Sequence, residues 1–91
     1  MIVAEQIRAA RALLGIGQIE LAQMAAVGSS TVKRIELAEE VTGSAKTLWK
    51  LQEALEKAGV EFIPADEHKG PGVRLAKRTR RTARRVQRTR A

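Results

Sequence analysis

Apolar residues repeat at helical spacing from the start of the chain. Successive residues of a helix lie about 100° apart, and at that angle a single apolar stripe is formed by Val3, Ile7, Ala10 and Leu14. Polar and charged residues fill the positions between them, so one face suits a protein core and the other suits water. The pattern predicts an amphipathic helix over residues 2–14.

Three more helices are predicted further along the chain. Two glycines separate the first helix from a short second one over residues 18–25, and about three connecting residues lead to a third helix over 29–38. Ser44 is a suitable N-cap for a fourth helix, which runs through residue 58 and ends before Gly59. We therefore expect a mainly α fold, a bundle of about four helices.

The apolar period changes after the fourth helix. Residues 60–63 and 73–75 are short β-like runs on either side of a loop rich in proline, glycine and charge, which predicts a β-hairpin. The chain then divides into a helical domain over residues 1–59, a short β extension over 60–75 and a low-complexity basic tail over 76–91.

The charge of the chain is concentrated at its C-terminal end. The net charge is +7, yet residues 1–72 hold eight basic residues against ten acidic ones, a net −2, and residues 73–91 hold nine basic residues and no acid. Such a tail favours a polyanion as its partner, nucleic acid first and an anionic membrane surface second. We expect it to be disordered in the free protein and to contact phosphates without reading sequence, through Lys77, Arg78, Arg80, Arg81, Arg84, Arg85 and Arg88.

Little in the sequence favours catalysis. The chain has no cysteine, and His68 is its one histidine, so neither a metal cluster nor a histidine-based triad can be assembled. Its acidic pairs are adjacent in sequence and point apart on any regular element. We expect no enzyme activity, no cofactor and no metal. With no run of about 18 apolar residues and no signal-peptide pattern, we also expect a cytoplasmic protein that does not enter the membrane.

The third predicted helix has the outward face of a DNA reader. Two short helices joined by a tight turn form the helix-turn-helix arrangement, in which the second helix lies in the major groove. If Val32 defines 0° around the helix, the other apolar position, Ile35, lies near 300°. Ser30 lies at about 160°, Lys33 at about 100° and Arg34 at about 200°. These three side chains therefore point away from the core.

Two segments carry a family resemblance. Residues 8–22 (RAARALLGIGQIELA) and 31–36 (TVKRIE) resemble the lambda-repressor-like (Cro-type, XRE) helix-turn-helix transcriptional regulators, and the match covers about residues 5–58. The resemblance implies that Gln18 bridges a phosphate and the recognition helix, and that Arg11 and Glu36 form a salt bridge between the first and third helices. It also places four residues at DNA-facing positions: Ser29, Ser30, Lys33 and Arg34.

The sequence departs from the family pattern in the turn. Ala26 stands where the family prefers glycine, and Gly17 and Gly28 stand where it prefers a capping Ser, Thr or Asn. Glycine is an acceptable N-cap, whereas alanine is strained if the turn requires a positive φ.

The resemblance implies a bacterial or phage-type regulator, a repressor that binds double-stranded operator DNA as a homodimer. The sequence also fits an antitoxin. Such a protein binds a protein partner, for example a toxin, and regulates its own operon by binding DNA. An architectural or RNA-binding protein governed by the tail is a third alternative.

The small core also favours self-association. The extension over 60–75 is the first candidate interface, and Trp49, beside Leu48, is expected to be a partly buried packing or dimer residue.

Overall fold

The computed structural model of the chain describes residues 2–37 and 44–76. In these two ranges it has four helices, α1 (Ala4–Leu14), α2 (Gln18–Ala25), α3 (Ser29–Leu37) and α4 (Ala45–Lys57), followed by two strands, β1 (Val60–Ile63) and β2 (Gly72–Leu75). The strands form one antiparallel sheet. The mainly helical fold and the short C-terminal hairpin predicted from the sequence are confirmed.

The helix ends follow local chemistry. The first helix begins at Ala4, two residues later than predicted, because Val3 is extended and its backbone N–H donates to Gln6 Oε1 at 2.9 Å. Ser44 caps α4 as predicted, since its Oγ accepts from the Thr47 backbone N–H at 3.1 Å. Gly15 ends α1 in the left-handed conformation, with a φ of 69°.

One apolar core holds all four helices together. Its fully buried large side chains come from every helix and include Ile7, Leu21, Val32, Leu51 and Leu55. Burying a side chain of this size contributes about 1.5–3 kcal/mol, so the small core depends on each helix presenting its apolar face. The helices α2 and α3 pack against each other, and α4 packs on α2.

The hairpin belongs to the same core. Val60 is buried, and Phe62 and its cross-strand partner Val73 pack against the core residues. A buried glutamine on α1, Gln6, donates its side-chain amide to two strand carbonyls, Ile63 O at 3.3 Å and Gly72 O at 3.0 Å. The extension over 60–75 therefore packs on the helical part of the chain.

The turn between α2 and α3 contains a strained alanine. Ala26 adopts the left-handed conformation, with φ 58° and ψ 45°, and the next backbone N–H, that of Val27, donates to Ala22 O at 3.0 Å. A left-handed conformation costs a non-glycine residue about 1–2 kcal/mol. Strain at Ala26 is expected only if the turn requires a positive φ. The turn does adopt this conformation, for which glycine is the better suited residue.

Over residues 2–37 and 44–76, no helix has both the length and the apolar character required to cross a membrane.

Candidate nucleic-acid interface

The α3 helix presents a polar face to solvent. Val32, Ile35 and Glu36 are its buried residues, with Val32 0% and Glu36 2% exposed. Four polar residues of its first two turns are exposed: Ser29, Ser30, Lys33 and Arg34. The outward orientation predicted for Ser30, Lys33 and Arg34 is confirmed.

The exposed end of α3 favours anions. The first turn contains no acidic residue, and Lys33 and Arg34 follow directly behind it. A helix N-terminus carries a partial positive charge because its first backbone N–H groups have no partner within the helix. The two serines in this turn are short, so a phosphate or a base edge can come close to the helix backbone.

A buried carboxylate holds α3 in place. Glu36 Oε2 accepts from Arg11 Nε and Glu36 Oε1 accepts from Arg11 Nη2, both at 2.7 Å. The arginine side chain is 21% exposed and the glutamate side chain 2%. This two-point contact fixes both the distance and the orientation between α1 and α3. The pair predicted from spacing and resemblance is present.

The same glutamate ties the start of α2 to α3. Gln18 Nε2 donates to Glu36 Oε1 at 3.1 Å, and Gln18 is half-buried as the first residue of α2. The predicted link between Gln18 and the third helix therefore exists and runs through Glu36. A glutamine amide has a second N–H and a carbonyl oxygen besides this bond. A phosphate contact by Gln18 stays a prediction.

Two further arginine contacts stabilise the same arrangement of α1, α2 and α3. Arg8 Nη1 donates to the backbone carbonyl of Glu36, near the C-terminal end of α3, where a cation is favourable. Arg11 Nη1 donates to Ile16 O at 3.2 Å and so anchors the connection between α1 and α2. Sequence reasoning did not predict either contact, because a backbone carbonyl is available at every residue and leaves no pattern in the sequence.

The arginine of the ion pair holds its proton more tightly than a free arginine does. Hydrogen bonding to Glu36 raises the pKa of Arg11 above its ordinary value, against a smaller opposing effect of burial. The stabilisation linked to this raised pKa is fully present below the pKa of a free arginine and is lost only as the pH rises through the raised value. Arg11 therefore keeps its charge across the range in which proteins normally fold.

Trp49 and the basic tail are the remaining residues that the sequence singled out. Trp49 is 62% exposed in the single chain, so it is not a packing residue of this core, and the alternative that it is a dimer residue stays a prediction; its neighbour Leu48 is buried. The helix turns by about 100° between them, which carries the indole away from the core. The phosphate-contact residues of the tail, 77–88, lie outside the described residues, and their predicted role is untested.

The chain matches no known protein-family model, and no curated protein is significantly similar to it. The residues 2–37 and 44–76 contain no group of three or more His, Cys, Asp or Glu side chains placed to hold a metal ion. The family resemblance and the absence of catalytic activity accordingly remain predictions from the sequence.

Proposed function

We propose that this protein is a sequence-specific DNA-binding regulator, a repressor of the lambda-repressor-like helix-turn-helix class. In this proposal α2 and α3 form the helix-turn-helix unit, and α3 enters the major groove of operator DNA. The observation that carries the proposal is the exposed face of α3, where Ser29, Ser30, Lys33 and Arg34 all point to solvent on a helix that Glu36 fixes from its buried side.

The exposed side chains have complementary roles in this proposal. Arg34 has the planar fork that pairs with the O6 and N7 atoms of guanine, and Lys33 reaches a phosphate or a base acceptor. Ser29 and Ser30 contact the backbone or a base edge where the helix enters the groove. Gln18 keeps its bond to Glu36 while its remaining amide atoms contact a phosphate.

Rigid support makes this helix suitable for reading sequence. A base contact requires the side chain to be placed within a fraction of an ångström, and a helix that shifts on its supports loses that precision. Contacts from Arg8, Arg11 and Gln18 all end on Glu36, a buried residue of α3 that does not belong to the exposed face. The network supports the proposal because it orients the helix without using any residue of that face.

In this proposal the basic tail contributes affinity for DNA, and dimerisation matches the protein to two symmetric half-sites. Only two cations, Lys33 and Arg34, lie on the exposed face of α3, so the basic residues beyond 76 contribute most of the phosphate neutralisation. A homodimer addresses two half-sites one helical turn apart, about 34–36 Å.

Selection of binding sites from a random duplex library tests the proposal. We expect full-length protein to enrich an inverted repeat, and footprinting of the enriched duplex to show two protected half-sites about one helical turn apart. Protein carrying Lys69→Ala, which changes an exposed lysine of the β1–β2 loop, serves as the control and should select the same repeat. Recovery of unenriched sequence after repeated rounds would contradict a reading function.

A further inference from the structure

The α4 helix carries an exposed tryptophan between two surface depressions. Trp49 is 62% exposed, and the depressions that it borders have volumes of about 260 Å³ and about 450 Å³. Met24 and Ala54 are among the residues that line the first, and Ala45 and Leu48 are among those that line the second. A large aromatic side chain that is exposed beside apolar depressions is typical of an interaction site.

Three lysines form a stripe along α4 beside the indole. Measured around the helix from Trp49 at about 100° per residue, Lys46 lies at about 60°, Lys50 at about 100° and Lys57 at about 80°. With a rise of 1.5 Å per residue, this lysine stripe is about 16 Å long. Each of its lysines borders one of the two depressions. Since residues 1–72 are acidic on balance, the stripe differs in sign from the rest of the domain.

The carboxylates of α4 do not neutralise this stripe. Glu53 is the one acidic residue that borders the depressions, and it accepts from Lys57 Nζ at 3.3 Å. Glu56 lies on the other side of the indole, at about 340°, and borders neither depression. No ion pair within residues 2–37 and 44–76 involves Lys46 or Lys50. The rim of the depressions therefore has a surplus of positive charge at these two lysines.

The positions of the two lysines disfavour the free helix. Lys46 lies in the first turn of α4, which contains no acidic residue, and the positive end of the helix dipole repels a cation there. Lys46 and Lys50 are four residues apart, a spacing at which like charges on a helix repel each other. Carboxylates of a bound partner would relieve both effects. A charge pattern that opposes the local fold is expected where that pattern serves binding.

We propose that this face of α4 binds an acidic amphipathic segment of another protein. Two carboxylates of the segment, about 6 Å apart, pair with Lys46 and Lys50, which have the same spacing on α4. Apolar side chains next to these carboxylates enter the depressions on either side of Trp49. The depressions favour a protein partner, because a membrane surface is broad and flat and a nucleic-acid backbone has no apolar side chain to fill them.

The inference does not rest on DNA binding. None of the residues that border the two depressions belongs to α3. Its test needs no operator DNA, so its failure would leave the proposed function standing.

Titration of the full-length protein with the synthetic peptide acetyl-EELFEELLEELFEE-amide measures this binding. The peptide has no tryptophan and Trp49 is the only one of the chain, so the emission reports this face of α4 and not the basic tail. We expect a shift to shorter wavelength and a Kd below about 100 μM at about 0.15 M salt. Peptides with every glutamate replaced by lysine, or with every leucine and phenylalanine replaced by serine, should bind at least about tenfold more weakly.

Charge reversal distinguishes loss of the site from loss of the fold. Lys46→Glu places a carboxylate in the first turn of α4, four residues before Lys50, so the Tm should rise by about 2–4 °C while the affinity for the acidic peptide falls at least about tenfold. The double variant Lys46→Glu/Lys50→Glu should bind the lysine peptide instead. Lys69→Glu, an equal change of charge in the exposed β1–β2 loop, is the matched control and should leave the Kd unchanged.

Three results would overturn the proposal. The first is an unchanged Trp49 emission up to about 1 mM peptide, or an unchanged affinity in the Lys46→Glu protein. The second is a shift produced by phosphatidylserine vesicles or single-stranded DNA and not by the peptide, which would assign the face to a membrane or to nucleic acid. The third is a shift produced by raising the protein concentration alone, which would assign it to a second copy of the chain.

Discussion

Arg11 and Glu36 meet through two hydrogen bonds of 2.7 Å each and join the first helix to the third. The two partners differ in their access to water, since the glutamate side chain is 2% exposed and the arginine side chain is 21% exposed. Removal of the arginine and removal of the glutamate should therefore destabilise the fold by different amounts. A glutamate without the arginine is a buried charge, whereas an arginine without the glutamate still reaches solvent at its edge.

The asymmetry gives the first prediction. Arg11→Ala should lower the free energy of unfolding by about 3–5 kcal/mol, and Glu36→Ala should cost less, about 2–3 kcal/mol. Urea denaturation of both single variants and the double variant measures the costs and their coupling. Equal costs would contradict the difference in burial, and a coupling energy of zero would contradict the contact itself.

The strained turn gives a prediction of opposite sign. Ala26→Gly should raise the stability by about 1 kcal/mol, because glycine adopts a φ of 58° without the penalty that alanine incurs. In a domain of this size that corresponds to an increase in Tm of about 4–8 °C.

The matched control for this change is Ala9→Gly, at an exposed position inside α1, which should lower stability by about 1 kcal/mol. If both glycine variants were destabilised, the turn would not require the left-handed conformation at residue 26.

The element pattern was predictable because each helix repeats its apolar residues at the helical period. Arg11 and Glu36 could also be paired from sequence, since each lies about 40° from an apolar stripe at the margin of the core. Gln6 could not be assigned a role, because its partners are backbone carbonyls at residues 63 and 72 that only the folded hairpin brings near. The degree of exposure of Trp49 could not be predicted, because a position beside the apolar stripe fits a partly buried packing residue and a dimer residue alike.

The basic tail should contribute affinity without sequence preference. A protein ending at Ala76 keeps the backbone bond of 2.7 Å between Ala76 N and Gly59 O and loses eight Lys and Arg residues. With about half of these eight on phosphates, the slope of log K against log[salt] should become shallower by about 3.6 units.

Salt titrations of the full-length and shortened proteins on operator and scrambled duplexes measure this change. Both duplexes should be affected alike, because arginine–phosphate contacts carry no direct base information. Equal slopes for the two proteins would show that the tail does not touch DNA. A loss confined to the operator would show that it reads sequence.

The central claim is that α3 reads base sequence, and the most direct test is the ratio of affinities for operator and scrambled duplex. Arg34→Ala should reduce this ratio by about 5- to 150-fold, the equivalent of 1–3 kcal/mol for a bidentate base contact, with circular dichroism unchanged because the side chain is exposed. Ser30→Ala should change it in the same direction, and Lys69→Ala should leave it unaltered. Wild-type discrimination in the folded Arg34→Ala and Ser30→Ala proteins would contradict the account.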